Sequence, residues 1–190
     1  MAERADAARN RAAILRATEE LLSNFPPEEV SIDRVAAKAG VGKGTVFRRF
    51  GDRYGLMRAL MVQRAEALQT AFTSGPPPLG PGAEPTERLL AFLDGTLELI
   101  TNNLGLIAAH ERAAVAGNHD DQPVYQAWHR HVTALIAQAR PDLDAELQAH
   151  ILLRSLSSDL VAHLHRNGTS PRFARSLHDL ATALLRPLDP

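Results

Sequence analysis

The sequence predicts an all-α protein, in which a short N-terminal unit is joined by a long helix to a larger C-terminal helical bundle. Apolar residues recur every three or four positions over most of the chain, and no segment shows the alternation of a half-buried strand. Breaks that contain proline or glycine divide these periodic segments, as expected at helix ends. A hydrophobic content of 45% and a charged content of 23% are ordinary for a globular protein.

Residues 6–24 form the first predicted helix, which ends where the two prolines of "FPPEE" interrupt it. The next helix is short. Ser31 is a suitable cap for its start, and apolar residues recur at i, i+3, i+4 and i+7 as far as Ala39. Gly40 then suits the left-handed conformation in which many helices end.

A third short helix is predicted over about 43–50, with Val46 and Phe50 one turn apart on its inner side. Asp52 caps a fourth, long helix that runs over about 52–72. This helix is expected to connect the N-terminal domain, residues 1–57, to the remainder of the chain.

The clearest break in the pattern is "SGPPPLGPGAEP", Ser74 to Pro85, which contains five prolines and three glycines. Such a composition predicts an irregular, partly stiff connector. Residues 84–190 then form the second domain. Its helices are predicted over 86–102, 104–116, 122–139, 142–167 and 171–186.

Composition and charge restrict the function classes. No apolar run approaches the roughly 20 residues that span a bilayer, and the charged N-terminus does not resemble a signal peptide, so a soluble cytoplasmic protein is expected. Without cysteine there is no disulfide and no thiolate metal site. Residues 1–58 hold 11 basic against 8 acidic residues, whereas residues 59–190 hold 10 against 14. This asymmetry favours a polyanionic partner at the N-terminal end.

The segment "AGVGKGTVFRRF", Ala39 to Phe50, has two possible interpretations. Its "GVGKGT" core is similar to a phosphate-binding loop, but such a loop requires glycine at position 37, where this chain has alanine. A phosphate-binding loop also follows a buried strand, and here an amphipathic helix precedes the segment. The nucleotide-binding interpretation therefore fails on its context.

The same segment fits the turn and second helix of a DNA-binding helix-turn-helix. If Val46 and Phe50 face inward, the outer side of the third helix offers cations for phosphates, a hydroxyl, an aromatic edge and an arginine suited to guanine. Arg53, in the first turn of the next helix, is placed to meet a phosphate beside free backbone amides. The outward residues are Lys43, Gly44, Thr45, Phe47, Arg48 and Arg49.

Residues 31–57, "SIDRVAAKAGVGKGTVFRRFGDRYGLM", resemble the DNA-binding domain of the tetracycline-repressor (TetR) family. The resemblance lies in the "AGV" turn, the "GT" pair, two aromatic residues and a late basic residue. It implies a dimeric, ligand-responsive transcription factor, usually a repressor, that binds double-stranded DNA. At the family's base- or sugar-contact positions the chain has Lys43, Gly44, Thr45, Phe47 and Arg48; at its phosphate-contact positions it has Ser31, Arg49 and Arg53.

Two positions depart from the family's usual pattern. Gly42 stands where serine or threonine often opens the recognition helix, and glycine is a weaker cap. Phe47 stands where tyrosine is frequent, so a hydroxyl that would bond a phosphate is missing. The charges of Arg48 and Arg49 can offset that loss.

The second domain is expected to enclose an effector pocket between its helices. Trp128 is the favoured contact, because a large flat ring suits an apolar or aromatic effector, although core packing explains each position as well. No cofactor is expected. The candidate lining residues are Phe92, Thr96, Ile100, Ile107, His110, Glu111, Trp128, His131 and Asp159.

All eight histidines follow residue 109, and they include the pairs of "HRH" and "HLH". Residues at i and i+2 point about 200° apart on a helix, so neither pair can chelate a metal by itself. No metal site is therefore predicted.

The last two predicted helices, 142–167 and 171–186, resemble the pair through which the family forms dimers. Packing into the monomer core is the alternative, and the resemblance favours a homodimer. Twofold symmetry would then predict a palindromic operator. The interface candidates are Ile151, Ser155, Ser158, Ala162, Phe173, Leu177, Leu180 and Leu184.

The working hypothesis is that an effector shifts helix 104–116 against helix 52–72 and so changes the separation of two DNA-reading heads. Two alternatives stay open. One is a ligand-independent DNA-binding regulator with a filled core. The other is an all-helical enzyme that uses the histidines and acidic residues of the C-terminal half, although their spacing indicates no convergent site.

Overall fold

The computed structural model describes residues 2–104 and 123–186. Over these ranges the chain forms α-helices, one 3₁₀ turn at Pro27–Glu29 and irregular connections, with no strand. The predicted all-α class is confirmed. The helices are α1 (Ala2–Leu22), α2 (Ile32–Ala39), α3 (Lys43–Phe50), α4 (Arg53–Ser74), α5 (Pro85–Thr101), α6 (Pro123–Ala139), α7 (Ala145–Ser155), α8 (Ser158–Arg166) and α9 (Ser170–Leu185). No helix in the described part of the chain is long and apolar enough to cross a membrane.

The described residues form two compact units that divide within α4, between Arg64 and Ala65. The first unit contains α1, α2, α3 and the first half of α4. The second contains the end of α4 and helices α5 to α9. The division therefore lies inside the long helix and not at the proline-rich connector, which belongs to the second unit.

The first unit has a small apolar core to which α1, α2, α3 and α4 all contribute. Among the described residues, the one polar side chain in this core is that of Thr18, whose hydroxyl donates to the carbonyl of Ile14 at 2.8 Å and so is satisfied within its own helix. Phe50 is only half-buried. The buried residues are Ile14, Leu15, Ala17, Thr18, Val30, Ile32, Val35, Ala36, Val46, Leu56, Met57 and Leu60.

The turn between α2 and α3 requires glycine at its first position. Gly40 has φ 67° and ψ 31°, and its N–H donates to the carbonyl of Ala37 at 3.3 Å. The N–H of Val41 donates to the carbonyl of Ala36 at 3.0 Å, which completes a Schellman motif. Because a Cβ at position 40 would meet no atom within 4 Å, the backbone conformation and not the available space calls for glycine.

The second unit packs α5 to α9 and the end of α4 around one apolar core. Phe92 and Leu93 of α5 are fully buried. Leu135 and Ile136 of α6 are at most 1% exposed. Gly95 allows α5 to approach α4, because a Cβ there would lie 2.9 Å from Cδ1 of Leu68. These helices together form the frame of the candidate effector site.

The helix predicted over 142–167 is in fact two helices, α7 and α8, so the prediction of one helix is wrong. The backbone leaves the helical conformation at Leu156 and Ser157, where ψ is 19° and 140°. Ser157 occupies the N-cap position of α8, and Asp159 lies in its first turn. The sequence "SLSSD" therefore contains a helix start that the apolar periodicity hides.

Arg140 fastens the end of α9 to the turn that follows α6. Its Nη1 donates to the carbonyls of Leu184 and Arg186 at 3.1 and 2.7 Å, and its Nε and Nη2 donate to the two carboxylate oxygens of Asp142, both at 2.7 Å. These hydrogen bonds lower the pKa of the Asp142 carboxyl. The side chain thus caps carbonyls that the end of α9 would leave unsatisfied.

Candidate nucleic-acid interface and effector site

The outer side of α3 is exposed and basic. Val46 is fully buried on the inner side, whereas Arg48 and Arg49 are exposed and the ring of Phe47 is 43% exposed. A Cβ added at Gly44 would meet no atom within 4 Å, so the backbone of α3 is open to close approach there. Thr45 differs from the expectation, because it is half-buried.

Arg48 and Arg49 have no ion-pair or hydrogen-bond partner within the described ranges, whereas several other cations of the first unit are paired. The two arginines can therefore meet a phosphate or a base without first breaking an internal bond. Ion pairs elsewhere in this unit include Arg9–Asp6, Arg34–Glu29 at 3.9 Å, Lys38–Glu20 at 2.9 Å and Arg64–Glu19 at 3.1 Å.

Lys43 is held by Asp33 in the first turn of α2. Its Nζ lies 2.8 Å from one carboxylate oxygen of Asp33, and 5.8 Å from the centre of the Phe47 ring. Both partners of the ion pair are more than half exposed, so water screens it and the pair contributes little stability. A phosphate can replace Asp33 at small cost.

Arg53 and Ser31 already make bonds inside the first unit. A guanidinium Nη2 of Arg53 donates to the carbonyl of Pro27, and its Nε is buried with no partner in the described part of the chain. The Ser31 hydroxyl oxygen accepts from the amide of Arg34 at 3.3 Å, which confirms the predicted N-cap. Ser31 is exposed, and its own O–H is still available as a donor.

Two exposed residues on α4 escaped the sequence analysis. Tyr54 is 48% exposed, and Arg58 is exposed one turn further along the same helix. Their spacing of i and i+4 puts both on one face, while Leu56, Met57 and Leu60 are buried. The same i and i+4 spacing can be seen in the sequence, where it could have indicated that the two residues share one face of the helix.

The family model described as "Bacterial regulatory proteins, tetR family" matches residues 14–60. Residues 14–60 belong to the TetR family. The matched range contains all of α2 and α3 and the first turns of α4. The match confirms that the first unit is a DNA-binding helix-turn-helix domain of the TetR type and that the protein is a DNA-binding transcription regulator.

Solved TetR-family structures extend the likeness over nearly the whole chain. A TetR transcriptional regulator from Streptomyces coelicolor is 25% identical with a TM-score of 0.64, over 94% of this chain and 99% of its own. A putative TetR-family regulator from Rhodococcus sp. is 22% identical with a TM-score of 0.62, over 94% and 100%. One from Mycobacterium vanbaalenii is 24% identical with a TM-score of 0.57, over 93% and 96%. None of the curated proteins matches the chain.

Five of the predicted effector contacts lie on α5 and α6 of the second unit. The ring centroid of Phe92 lies 6.0 Å from that of Trp128 and 5.2 Å from that of His131. Thr96 is buried one turn beyond Phe92, and Ile100 packs against the core. Ile107, His110 and Glu111 lie outside the described residues.

Asp159 does not belong to this cluster, and its assignment to the effector site is corrected. It is exposed in the first turn of α8, where Val161 is the buried residue. The break at Ser157 starts a new helix and so changes which positions face inward. Across the described ranges no group of three or more His, Asp or Glu side chains is arranged to hold a metal ion.

A groove of about 390 Å³ lies in the second unit, between the end of α4, the start of α5 and the middle of α6. His131 lines it. Burial, together with the positive charge of Arg88, lowers the pKa of His131 to about 4, so this imidazole is neutral at pH 7. The groove is lined by Gln69, Phe72, Thr73, Arg88, Ala127, Arg130 and His131.

The predicted dimer residues differ in exposure. Ile151 and Leu180 are 62% and 63% exposed, which is unusual for large apolar side chains. Leu177 is 2% exposed in the core of its own chain, so its assignment to an interface is corrected. α9 turns Leu177, Ala181 and Leu185 inward, one turn apart, and Leu180 lies outside that row. The remaining candidates are half-buried: Ser155, Ser158, Ala162, Phe173 and Leu184.

Proposed function

We propose that this TetR-family regulator is a homodimeric repressor, which binds a palindromic operator and is released from it by a small-molecule effector. The chief support is that α3 has one buried apolar side and one exposed basic side. Val46 anchors the helix inward, while Arg48 and Arg49 are exposed and unpaired as far as the chain is described. A short helix with free arginines suits the major groove, where arginine pairs with O6 and N7 of guanine.

In this proposal α3 reads the bases and its surroundings hold the phosphates. Tyr54 and Arg58, exposed on α4, are added to the phosphate-contact group. The phenol of Tyr54 can provide the hydroxyl that Phe47 lacks. The base- or sugar-contact group is Lys43, Gly44, Thr45, Phe47 and Arg48, and the other phosphate contacts are Ser31, Arg49 and Arg53.

The exposed apolar residues of the second unit support the homodimer. Leu147 and Ile151 are 58% and 62% exposed and lie one turn apart on α7, and Leu180 on α9 is exposed to the same degree. Covering such side chains with a second copy removes apolar surface from water, which favours association. A twofold axis would then present two α3 helices to successive turns of a palindromic site.

The continuity of α4 supports control by an effector. α4 is one helix from Arg53 to Ser74, and its last turns line the groove through Gln69, Phe72 and Thr73. A ligand in the groove therefore contacts the same helix that begins beside the DNA-reading α3. The ligand must bind the DNA-free form more tightly than the DNA-bound form, because otherwise the equilibrium does not shift.

Selection of bound sequences from a random DNA pool, followed by fluorescence anisotropy on the enriched site, tests the DNA-binding role. We expect a palindromic consensus. Arg48→Ala should lower the discrimination between this site and a scrambled duplex by about 1–3 kcal/mol. Arg175→Ala, which removes an exposed arginine of α9, is the matched control and should bind as the wild type does. Unchanged discrimination by Arg48→Ala would show that Arg48 does not contact a base.

Light scattering on size-exclusion fractions tests the homodimer. Leu180→Glu should give monomers, because a charge cannot be buried in an apolar interface without a partner. Thr182→Glu puts the same charge at an exposed position two residues further along α9 and should leave a dimer. A monomeric wild type at micromolar concentration would contradict the proposal.

A further inference from the structure

The groove in the second unit is positively charged. Arg88 and Arg130 line it, and none of its described lining residues is acidic. Arg130 is exposed and has no ion-pair partner within the described ranges. Unlike the paired cations of the first unit, these two arginines are thus available to an anion that enters the groove.

Arg88 has hydrogen-bonding capacity that the protein leaves unused. Its Nη2 donates to the carbonyl of Phe72 at 3.2 Å, and its Nε is buried with no partner among the described atoms. A guanidinium has five N–H donors arranged in a rigid fork. A buried donor without an acceptor is costly, and a carboxylate is the acceptor that matches the fork with two parallel hydrogen bonds.

Aromatic rings adjoin these arginines. The ring of His131 stacks on that of Phe72, with centroids 4.2 Å apart and planes inclined by 20°. His131 also lies against Phe92, which in turn meets Trp128 edge-on. Flat rings in this arrangement offer an aromatic ligand favourable stacked or edge-to-face contacts.

Four further polar atoms on α5 and α6 lack partners in the described structure. They are Nε2 of His131, Nε1 of Trp128, Oγ1 of Thr96 and Oγ1 of Thr133, and each is buried. Native proteins satisfy the great majority of buried polar side-chain atoms. Of these four residues only His131 is among the described residues that line the groove, so its Nε2 is the atom to which a ligand there can supply a missing hydrogen bond.

We propose that the groove binds an aromatic carboxylate. Its carboxylate lies against Arg88, with Arg130 adding charge, and its ring packs against Phe72 and His131. A volume of about 390 Å³ falls in the range of small-molecule sites. The inference rests on the proposed function, in which such a ligand is the effector.

Calorimetric titration of the full-length protein without DNA tests the site. The probes are phenylacetate, naphthylacetate and biphenylacetate, each with its uncharged amide, and phenyl phosphate. We expect at least one acid to bind about tenfold more tightly than its amide, because a hydrogen-bonded charge pair forms only with the acid. The inference is overturned if no acid surpasses its amide, or if phenyl phosphate binds more tightly than every carboxylate.

Variants identify the responsible arginine. Arg88→Met keeps the apolar stem, and it should reduce the affinity for the acid to that for the amide while the amide still binds. Arg130→Gln should reduce the preference for the acid several-fold. Because Arg130 is exposed, this variant should fold normally, and it keeps the test decisive if Arg88→Met does not fold. Arg175→Met on α9 is the control and should keep the preference. A preference that survives in both Arg88→Met and Arg130→Gln overturns the inference.

Titration of the same acids into the protein–operator complex separates this inference from the proposed function. An acid that binds through Arg88 but releases no DNA supports the carboxylate site and contradicts its role as the effector site. Release by an uncharged ligand, with no acid bound more tightly than its amide, supports effector control and overturns the carboxylate site.

Discussion

Nζ of Lys43 lies 2.8 Å from Oδ1 and 2.9 Å from Oδ2 of Asp33, so that the first turns of α2 and α3 are joined by an ion pair. The pair places a negative charge beside the surface that we assign to DNA. Because both side chains are largely exposed, the pair stabilises the fold by at most about 1 kcal/mol. Its larger effect is on DNA affinity, where Asp33 competes with phosphate for Lys43.

Asp33→Asn should increase the affinity for all duplexes several-fold, because it frees Lys43 and removes a charge that repels phosphate. The dependence of log K on log salt should steepen by about one phosphate contact. Anisotropy titrations at several salt concentrations, on the operator and on a scrambled duplex, measure both quantities. Asp6→Asn, which breaks an exposed ion pair of α1, is the control. If Asp6→Asn increased the DNA affinity as much as Asp33→Asn does, the effect would come from the change in net charge and not from the release of Lys43.

Gly44→Ala should stabilise the fold and weaken operator binding. Alanine is favoured over glycine in a helix by roughly 0.5–1 kcal/mol, and open space surrounds position 44. The added methyl group, however, stands where α3 is proposed to approach DNA. Urea denaturation and anisotropy separate the two effects.

Gly40→Ala is the contrasting control for that substitution. Space is equally open at position 40, but φ is 67°, so alanine there should destabilise the fold by about 1 kcal/mol. Full operator affinity in Gly44→Ala would mean that the α3 backbone does not come close to the duplex.

Arg53→Ala should weaken binding to all duplexes alike and also lower the melting temperature. Arg53 donates to the carbonyl of Pro27, so its removal takes a hydrogen bond from the first unit. Arg58→Ala is the matched comparison. It should weaken binding without lowering the melting temperature, because Arg58 is exposed and has no partner in the described structure. Equal melting temperatures of the two variants would show that the bond to Pro27 contributes nothing to stability.

His131 should make the protein less stable as the pH falls from about 6.5 to about 4. The unfolded chain takes up a proton near pH 6.5, whereas the folded chain, with the pKa of His131 at about 4, does not. Above pH 6.5 both states are neutral and the contribution vanishes. Urea midpoints between pH 7 and 5 should therefore fall less steeply in His131→Gln than in the wild type. His163→Gln, at an exposed position of α8, should retain the wild-type slope.

Much of the first unit could be predicted from local sequence. Ser31 caps α2, Gly40 ends it with a positive φ, and Val46 turns inward, as expected. Each of these features depends on residues within a few positions along the chain. The start of α8 is local too, but the apolar stripe that continues through Ser157 concealed it.

The interior of the second unit could not be predicted in the same way. Apolar residues outnumber the inward positions of α9, and periodicity alone does not decide that Leu177 is buried while Leu180 is exposed. Those outcomes depend on how α5, α8 and α9 pack, which involves residues far apart in sequence.

The sequence by itself determined the all-helical class, the helix-turn-helix and the cationic face of α3, because helix periodicity, capping and turn conformation are properties of short segments. The tertiary structure alone decided that Lys43 meets Asp33, that Arg53 bonds to Pro27, and that Arg88 and His131 share one groove. Charge pairing and desolvation depend on distance in space, and only folding brings these separated side chains together.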